Sequence, residues 1–415
     1  MRLVTFFILV IIIISVFHCK RRNQKNILEE LLQNNLEKFE EIMKNPEAFK
    51  VQILYTQINR DHNNQPEFVT FKYHVNNDIY FYPASTVKLP VAVLALQKIN
   101  QLAIKDLTKY SIMLTDSAYS GQTKINIDSS AENNLPSVAH YIKKIFLISD
   151  NDAFNRLYEF LGLSYINKSL VSKGYDDSRI THRLSIPLSL EENQYTNPVR
   201  FYDNENQLIY QQDLVYTTEN FFSKDQILLG DGHILADSLI RGPMDFSTKN
   251  YIPLDELHQM LISLIFPESI TETNRFFLTS EDYKFLYTYM SMHPRESNDP
   301  YYGDQYEDNY CKFLMFGDRN GRIPENLRIF NKIGLAYGFL VESAYIVDFV
   351  AQLEFFLSAV IHVNENRIYN DGLYEYDSIG FPFMGNLGRM IYQFEKERSR
   401  QYVPDLSRFN ISYDK

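Results

Sequence analysis

Strand-like segments stand near both ends of this 415-residue chain, and mostly helical segments fill the region between them. Residues 49–61 and 67–75 are rich in β-branched and aromatic residues and flank a polar turn, which predicts a hairpin. Residues 338–350 and 353–364 are two further runs of the same kind. We therefore expect an α+β fold, in which an antiparallel sheet is built from N- and C-terminal strands, flanked by helices, and interrupted by an inserted, mainly helical lobe.

Helical periodicity marks several segments around these strands, because apolar residues recur every three or four positions. The segment 26–45 is amphipathic and belongs to an N-terminal linker region, residues 19–48. The segment 136–162 predicts two helices separated at Ser149–Asn151, and Gly162 is expected to end the second. Further helices are predicted at residues 254–266, 280–291 and 387–400.

The N-terminus predicts export. Residues 3–17 form an unbroken apolar run, shorter than the roughly 18–20 residues of a membrane-spanning helix, so residues 1–18 are predicted to be a signal peptide. Cys19 resembles the lipidated cysteine of bacterial lipoproteins, which would anchor the protein to a membrane in the periplasm or cell envelope. His18 stands where a small residue is expected, so an uncleaved anchor and simple secretion stay open as alternatives.

Composition excludes several classes of function. A formal net charge of -11 and a pI near 5.4 argue against nucleic acid as a partner. The two cysteines, Cys19 and Cys311, offer no disulfide framework if Cys19 is lipidated. The nine histidines include no His-x-x-x-His pair, so neither a metal nor another cofactor is expected. No pattern in the sequence indicates an oligomeric state.

The segment "FYPASTVKLPVAVLAL", residues 81–96, predicts an apolar helix that nevertheless carries Ser85 and Lys88 at its start. A spacing of three puts both side chains on one helix face, so the amine can reach the hydroxyl. An amine kept neutral by burial and a neighbouring cation can take the proton of the serine, which suits acyl transfer. The spacing alone is weak evidence, because Ser412 and Lys415 repeat it in the C-terminal tail.

Two further motifs follow in order: Ser149-Asp150-Asn151, and then Lys332-Ile333-Gly334. The order Ser-x-x-Lys, Ser-Asp-Asn and Lys-Thr-Gly is that of class A β-lactamases and penicillin-binding proteins. The chain resembles this superfamily, most closely the class A β-lactamase-like serine hydrolases, over roughly residues 50–190 and 325–398. The resemblance implies one such domain over residues 49–415, with an insertion within about 195–325 that roofs the cleft.

The resemblance also implies catalytic roles. Ser85 would be the nucleophile and Lys88 the base that activates it. Ser149 would relay a proton to the leaving group, and Lys332 would supply positive charge across the cleft. Asn151 would hold the amide of the substrate.

The same resemblance implies the oxyanion and substrate contacts. The backbone amides of Ser85 and Leu335 would form the oxyanion hole. Ile333 and Gly334, together with Asn151, would border the substrate.

Three departures from the family pattern affect substrate and turnover. Ile333 replaces a hydroxyl residue that binds the substrate carboxylate, and neither Leu340 nor Val341 offers the arginine often found nearby. The loop "THRLSIPLSLEENQYTNP" lacks a Glu-x-x-x-Asn for the deacylating water. Glu191 and Glu192 lie in this loop without that spacing, and we favour a solvated pair.

Other polar residues are weaker candidates. His182 and Arg183 could substitute in catalysis, although a role in fixing the loop is favoured. The acidic, tyrosine-rich segment 301–310 could bind a glycan or calcium, although a plain surface loop is favoured. The expected function is an exported serine hydrolase that forms an acyl-enzyme on Ser85 with a small-molecule or peptide substrate, such as a β-lactam, a cell-wall peptide or another amide or ester. A weak or inactive module that binds a cell-envelope ligand stays open.

Overall fold

The computed structural model describes residues 26–413 of the chain. The predicted signal peptide and the lipidation site at Cys19 lie outside the described residues. The helices are α1 (Ile27–Asn34), α2 (Leu36–Lys44), α3 (Lys88–Leu102), α4 (Val138–Ile148), α5 (Asn151–Leu161), α6 (Leu163–Ser172), α7 (Leu190–Gln194), α8 (Leu254–Ile265), α9 (Ser280–Ser291) and α10 (Phe381–Glu397). The strands are β1 (Gln52–Arg60), β2 (Pro66–Tyr73), β3 (Ile112–Thr115), β4 (Tyr195–Thr196), β5 (Val199–Tyr202), β6 (Leu208–Gln212), β7 (Val215–Tyr216), β8 (Leu228–Leu229), β9 (Gly232–Leu235), β10 (Ser238–Arg241), β11 (Met244–Asp245), β12 (Leu327–Ala336), β13 (Phe339–Asp348), β14 (Leu353–His362) and β15 (Ile368–Tyr369).

The central sheet confirms the predicted fold class. Its strand order is β12-β13-β14-β1-β2, and every neighbouring pair is antiparallel. The N-terminal hairpin joins the three C-terminal strands where β1 pairs with β14. The chain between β2 and β12 forms the inserted lobe, which contains helices α3 to α9 and the short strands β3 to β11.

Both faces of this sheet are covered, so β13 and β14 are buried along their whole length. Along β14, Phe356 and Val360 pack into the core that contains the lobe helices, among them α3, α5 and α8. The alternate residues Phe355 and Leu357 pack into a second core with α1, α2 and α10. This alternation follows the period-two geometry of a strand.

Two helix boundaries differ from the predicted ones. The segment 26–45 forms two helices that meet at Asn35 rather than one. Helix α10 begins at Phe381, six residues before the predicted start. Gly385 and Gly388 weaken the helical signal there, since glycine lowers helix propensity by about 1 kcal/mol. A Cβ at Gly388 would meet the Met315 backbone, so close packing accounts for this glycine. Gly162 ends α5 as expected, with φ of 80°.

Candidate active site

The nucleophile candidate lies in a tight turn rather than in the helix that follows it. Ser85 belongs to a 3₁₀ turn, Ala84–Val87, and α3 begins at Lys88. Residues three apart eclipse each other in 3₁₀ geometry, which is more favourable for contact than the predicted α-helix. The Lys88 Nζ lies 2.7 Å from the Ser85 Oγ.

The other contacts of Lys88 show which proton state suits this site. Its Nζ lies 2.5 Å from the Ser149 carbonyl oxygen and 2.6 Å from Asn151 Oδ1. Both oxygens can only accept hydrogen bonds. A neutral amine therefore places its two hydrogens on these oxygens and directs its lone pair towards Ser85, whose hydroxyl can donate its proton.

Burial and charge both favour that neutral amine. Lys88 has no exposed side-chain surface. Burial, and secondarily the positive charge of Lys332, hold the pKa of Lys88 well below its usual value of 10.5. Burial lowers the pKa of Lys332 to about 8, against the opposing influence of Cys311 and Glu342. Near neutral pH, Lys332 therefore keeps its proton while Lys88 is driven towards the neutral form.

Ser149 joins the two lysines. It ends α4 in the left-handed conformation, with φ of 57°. Its Oγ lies 3.2 Å from Lys88 Nζ and 2.8 Å from Lys332 Nζ. Asp150 accepts a hydrogen bond from the Ala153 N–H and so caps α5, which fixes the loop between the helices. The hydroxyl of Ser149 is thus held between a predicted base and a predicted cation.

The third motif reaches the nucleophile through a glycine. Gly334 on β12 faces the turn so closely that a Cβ there would lie 2.5 Å from the Pro83 carbonyl oxygen and 3.0 Å from the Ser85 nitrogen. Leu335, which follows it, lines the same cleft as Ser85. The two residues predicted to form the oxyanion hole, Ser85 and Leu335, therefore line one cleft.

The predicted catalytic and substrate-contact residues meet in this place, whereas Cys19 lies outside the described residues. Ser85, Ser149 and Asn151 line a cleft of about 680 Å³, with Ile333 and Leu335 on its β12 side. Lys88 and Lys332 lie buried beneath these residues. The constellation spans the inserted lobe and the last part of the sheet.

The tyrosine-rich segment also lines this cleft, which corrects the interpretation of a plain surface loop. Tyr306 and Tyr310 lie beside the Ser85 cleft, and their ring centroids are 4.6 Å apart. The sequence shows that aromatic residues are frequent in this segment. Their position beside the cleft depends on contacts with residues outside the segment. Asp308 is held by Arg295 at 2.8 Å, and its carboxylate also accepts from the Ile323 N–H at 2.9 Å.

A buried polar network that the sequence did not indicate supports β12 from behind. Asn331 hydrogen-bonds Lys312, Glu342 and the Cys311 carbonyl oxygen. Glu342 also accepts from the backbone N–H groups of residues 313 and 314, at 2.9 and 2.6 Å. Burial raises the pKa of Glu342 to about 7 and lowers that of Lys312 to about 8.

The departures from the family pattern persist in three dimensions. Ile333 lines the cleft and is 6% exposed, whereas Leu340 and Val341 are fully buried in the two cores. Glu191 and Glu192 are absent from the lining of the cleft. Glu191 accepts from the Tyr119 hydroxyl, and Glu192 from Ser120 and from the N-terminal end of α7.

His182 and Arg183 fix their loop, as favoured. Arg183 is buried, pairs with Glu159 at 3.1 Å and donates to the Tyr195 carbonyl oxygen at 2.8 Å. The His182 ring stacks on Tyr82 at 6.2 Å. Within residues 26–413, no group of three or more His, Cys, Asp or Glu side chains is placed to hold a metal. No helix in that range is long and apolar enough to cross a bilayer.

Part of the chain that contains several of these site residues resembles a known enzyme family. Residues 35–223 match the model of the β-lactamase enzyme family. The match contains Ser85, Lys88 and the Ser149–Asn151 motif, and it ends before Lys332. The resemblance to β-lactamase-like serine hydrolases is confirmed. For this β-lactamase-like chain, the link to Lys332 comes from the geometry of the site, where its Nζ contacts Ser149.

Several solved structures align with the chain at low sequence identity. A β-lactamase from Xanthomonas campestris pv. campestris aligns at 11% identity with a TM-score of 0.48, covering 89% of this chain and 98% of the other. For a β-lactamase from Sphaerobacter thermophilus the values are 13%, 0.47, 88% and 99%. For a protein named PBP-A they are 14%, 0.47, 90% and 97%. No curated protein matches the sequence significantly.

Proposed function

We propose that this chain is a serine hydrolase that forms an acyl-enzyme on Ser85 with an amide or ester substrate. One observation carries the proposal: the Lys88 amine lies 2.7 Å from the Ser85 hydroxyl, and its two shortest other contacts are with oxygens that only accept hydrogen bonds. A nucleophile within hydrogen-bond reach of a base that is itself oriented by further groups is the arrangement covalent catalysis needs.

Acylation follows from these contacts. The Ser85 Oγ attacks the carbonyl carbon of the substrate, and its proton passes to Lys88. The backbone amides of Ser85 and Leu335 stabilise the negative charge that develops on the carbonyl oxygen, a contribution of about 3–4 kcal/mol for one such donor in other hydrolases. Ser149 then passes a proton from Lys88 to the leaving group, while Lys332 orients the Ser149 hydroxyl and stabilises its developing charge.

The two loop glutamates are not placed to assist deacylation, and this favours a second candidate function. Glu191 and Glu192 bind Tyr119, Ser120 and their own helix end outside the cleft. Neither Glu191 nor Glu192 could therefore act as the base for a water molecule beside the acyl-enzyme. The alternative is therefore a catalytically weak module that retains its cell-envelope ligand, covalently or not, instead of releasing it quickly.

The decisive experiment is intact-mass analysis after incubation with a fluorophosphonate, a penicillin and a cephalosporin. We expect the fluorophosphonate to add one adduct, which Ser85→Ala abolishes. Ser412→Ala is the matched control, because Ser412 also has a lysine three residues later in the sequence. Labelling that persists in Ser85→Ala would refute the proposed nucleophile.

We further propose export and anchoring through a lipid on Cys19, with the protein acting in the periplasm or cell envelope. The support is the apolar run followed by a cysteine in the sequence. Membrane fractionation should find the protein with membranes, and Cys19→Ala should release it or leave an unprocessed precursor. A soluble mature form that starts elsewhere would contradict the anchor.

A further inference from the structure

The rim of the Ser85 cleft is acidic. Glu307 and Asp377 come from two separate segments and both line it. Asp377 is exposed, and no residue in the described part of the chain pairs with its carboxylate. The Glu307 carboxylate accepts only a backbone hydrogen bond at 3.2 Å, from Gly321. Both groups thus present negative charge to a bound substrate.

No basic side chain among the described lining residues balances this charge. Lys88 and Lys332 are buried at the floor, where they bind Ser149, Asn151 and the Ile333 carbonyl oxygen. The nearby Arg322 is paired with Asp304 at 2.9 Å. An anion held beside Ile333 would lose water, gain no hydrogen bond from that side chain, and meet two carboxylates in the same cleft.

Four aromatic residues also line the cleft and can attract a cation. Tyr306 and Tyr310 stand 4.6 Å apart between ring centroids, and Tyr310 is 47% exposed. Phe313 and Phe381 form a second pair at 5.0 Å. Aromatic faces attract ammonium and guanidinium groups, and this attraction adds to that of the carboxylates.

From this lining we infer that the substrate carries a positive charge and an apolar body, and bears no carboxylate near the scissile carbonyl. The inference rests on the proposed function and narrows it. Glu307, Asp377 and the two tyrosines would determine specificity, while Ser85 and Lys88 would perform the chemistry. Carboxylate-bearing β-lactams would then be poor acylating agents.

Three esters that share a three-carbon spacer and differ mainly in the charge of the terminal group test the inference. They are the 4-nitrophenyl esters of 4-(trimethylammonio)butyrate, of its uncharged tert-butyl isostere, and of glutarate. We expect kcat/KM to fall in that order, by roughly tenfold or more between the cation and the anion. The ratio should shrink at high salt, because exposed charges are screened beyond about 10 Å at 0.1 M.

Substitutions of the two rim carboxylates test whether they cause the preference for the cationic ester. Asp377→Asn combined with Glu307→Gln should reduce the cation-to-anion ratio several-fold. Glu272→Gln, at an exposed carboxylate that does not line the cleft, should leave the ratio unchanged. Equal rates for the three esters, or an unchanged ratio in the double variant, would overturn the inference while fluorophosphonate labelling of Ser85 still upheld the proposed function.

A binding measurement separates the inference from catalysis. In Ser85→Ala, calorimetry with the corresponding anilides of the three acids should show the same order of affinity. This order would support the inference even if Ser85 were not labelled, in which case the proposed function alone would fail. Equal affinities, or preference for the anion, would refute it.

Discussion

Gly334→Ala is the sharpest test of how the sheet positions the nucleophile. The added Cβ would lie 2.5 Å from the Pro83 carbonyl oxygen and 3.0 Å from the Ser85 nitrogen. Both neighbours belong to the backbone of the turn, so no side-chain rotation can relieve the contact. Either β12 or the 3₁₀ turn must move.

The size of the movement follows from these distances. Restoring an ordinary contact of 3.4 Å to the Pro83 oxygen requires about 0.9 Å of separation. A misplacement of about 1 Å costs roughly 100-fold in rate, because reacting groups lose their alignment. Overpacking of this kind costs about 1–3 kcal/mol of stability, which leaves a protein of ordinary stability folded. We therefore expect labelling of Ser85 to slow about 100-fold in a folded protein.

The assay is the second-order rate of fluorophosphonate labelling, with urea unfolding measured in parallel. Gly380→Ala is the matched control, because the three atoms nearest its added Cβ are side-chain atoms at 3.3 Å or more. That variant should label at the normal rate. Labelling of Gly334→Ala within threefold of the wild-type rate would refute the argument that this contact sets the geometry of the site.

Three further outcomes are expected. The kcat/KM should fall as the pH rises through about 8, because Lys332 loses its proton there. It should also fall at low pH, because Lys88 becomes protonated. An alkaline fall that survives unchanged in Lys332→Arg would contradict this assignment. In stopped-flow absorbance, excess activated ester should give a burst of one product molecule per Ser85 and then slow release. The reason is that Glu191 and Glu192 are absent from the cleft lining and cannot activate the deacylating water. A linear progress curve would count against slow deacylation. Glu342→Leu should lower the free energy of unfolding in urea by about 3–5 kcal/mol, because Asn331 and two backbone donors lose a buried acceptor and buried Lys312 loses a neighbouring carboxylate. A loss below about 1 kcal/mol would show that the network is dispensable.

Much of the fold was predictable because its signals are local. The strands β1, β2, β13 and β14 are rich in β-branched and aromatic residues, and their position at the two ends of the chain indicated a shared sheet. The motifs at Ser85, Ser149 and Lys332 were visible as short patterns in a fixed order. Their convergence follows from a topology that brings the end of the chain beside its beginning.

What escaped prediction depends on long-range pairing. The cleft contact of Tyr310 follows from a segment held by ion pairs such as Arg295 with Asp308. The network around Asn331 joins residues from a loop and two strands, and none of its members has a distinctive sequence context. The early start of α10 was hidden by glycines that only close packing requires.

Lys88 and Lys332 favour different protonation states because their surroundings differ, although the two residues are of the same type. Both contact the Ser149 hydroxyl, so two ammonium groups there would repel each other. Lys332 lies near Glu342, whose charge favours a protonated amine, whereas the direct partners of Lys88 are the neutral groups of Ser85, Ser149 and Asn151. The cost of burying a positive charge is therefore less well offset at Lys88 than at Lys332, so the proton remains on Lys332. Pairs of titratable groups whose environments separate their pKa values assign the acid and the base, and in the proposed mechanism that separation favours Lys88 as the base.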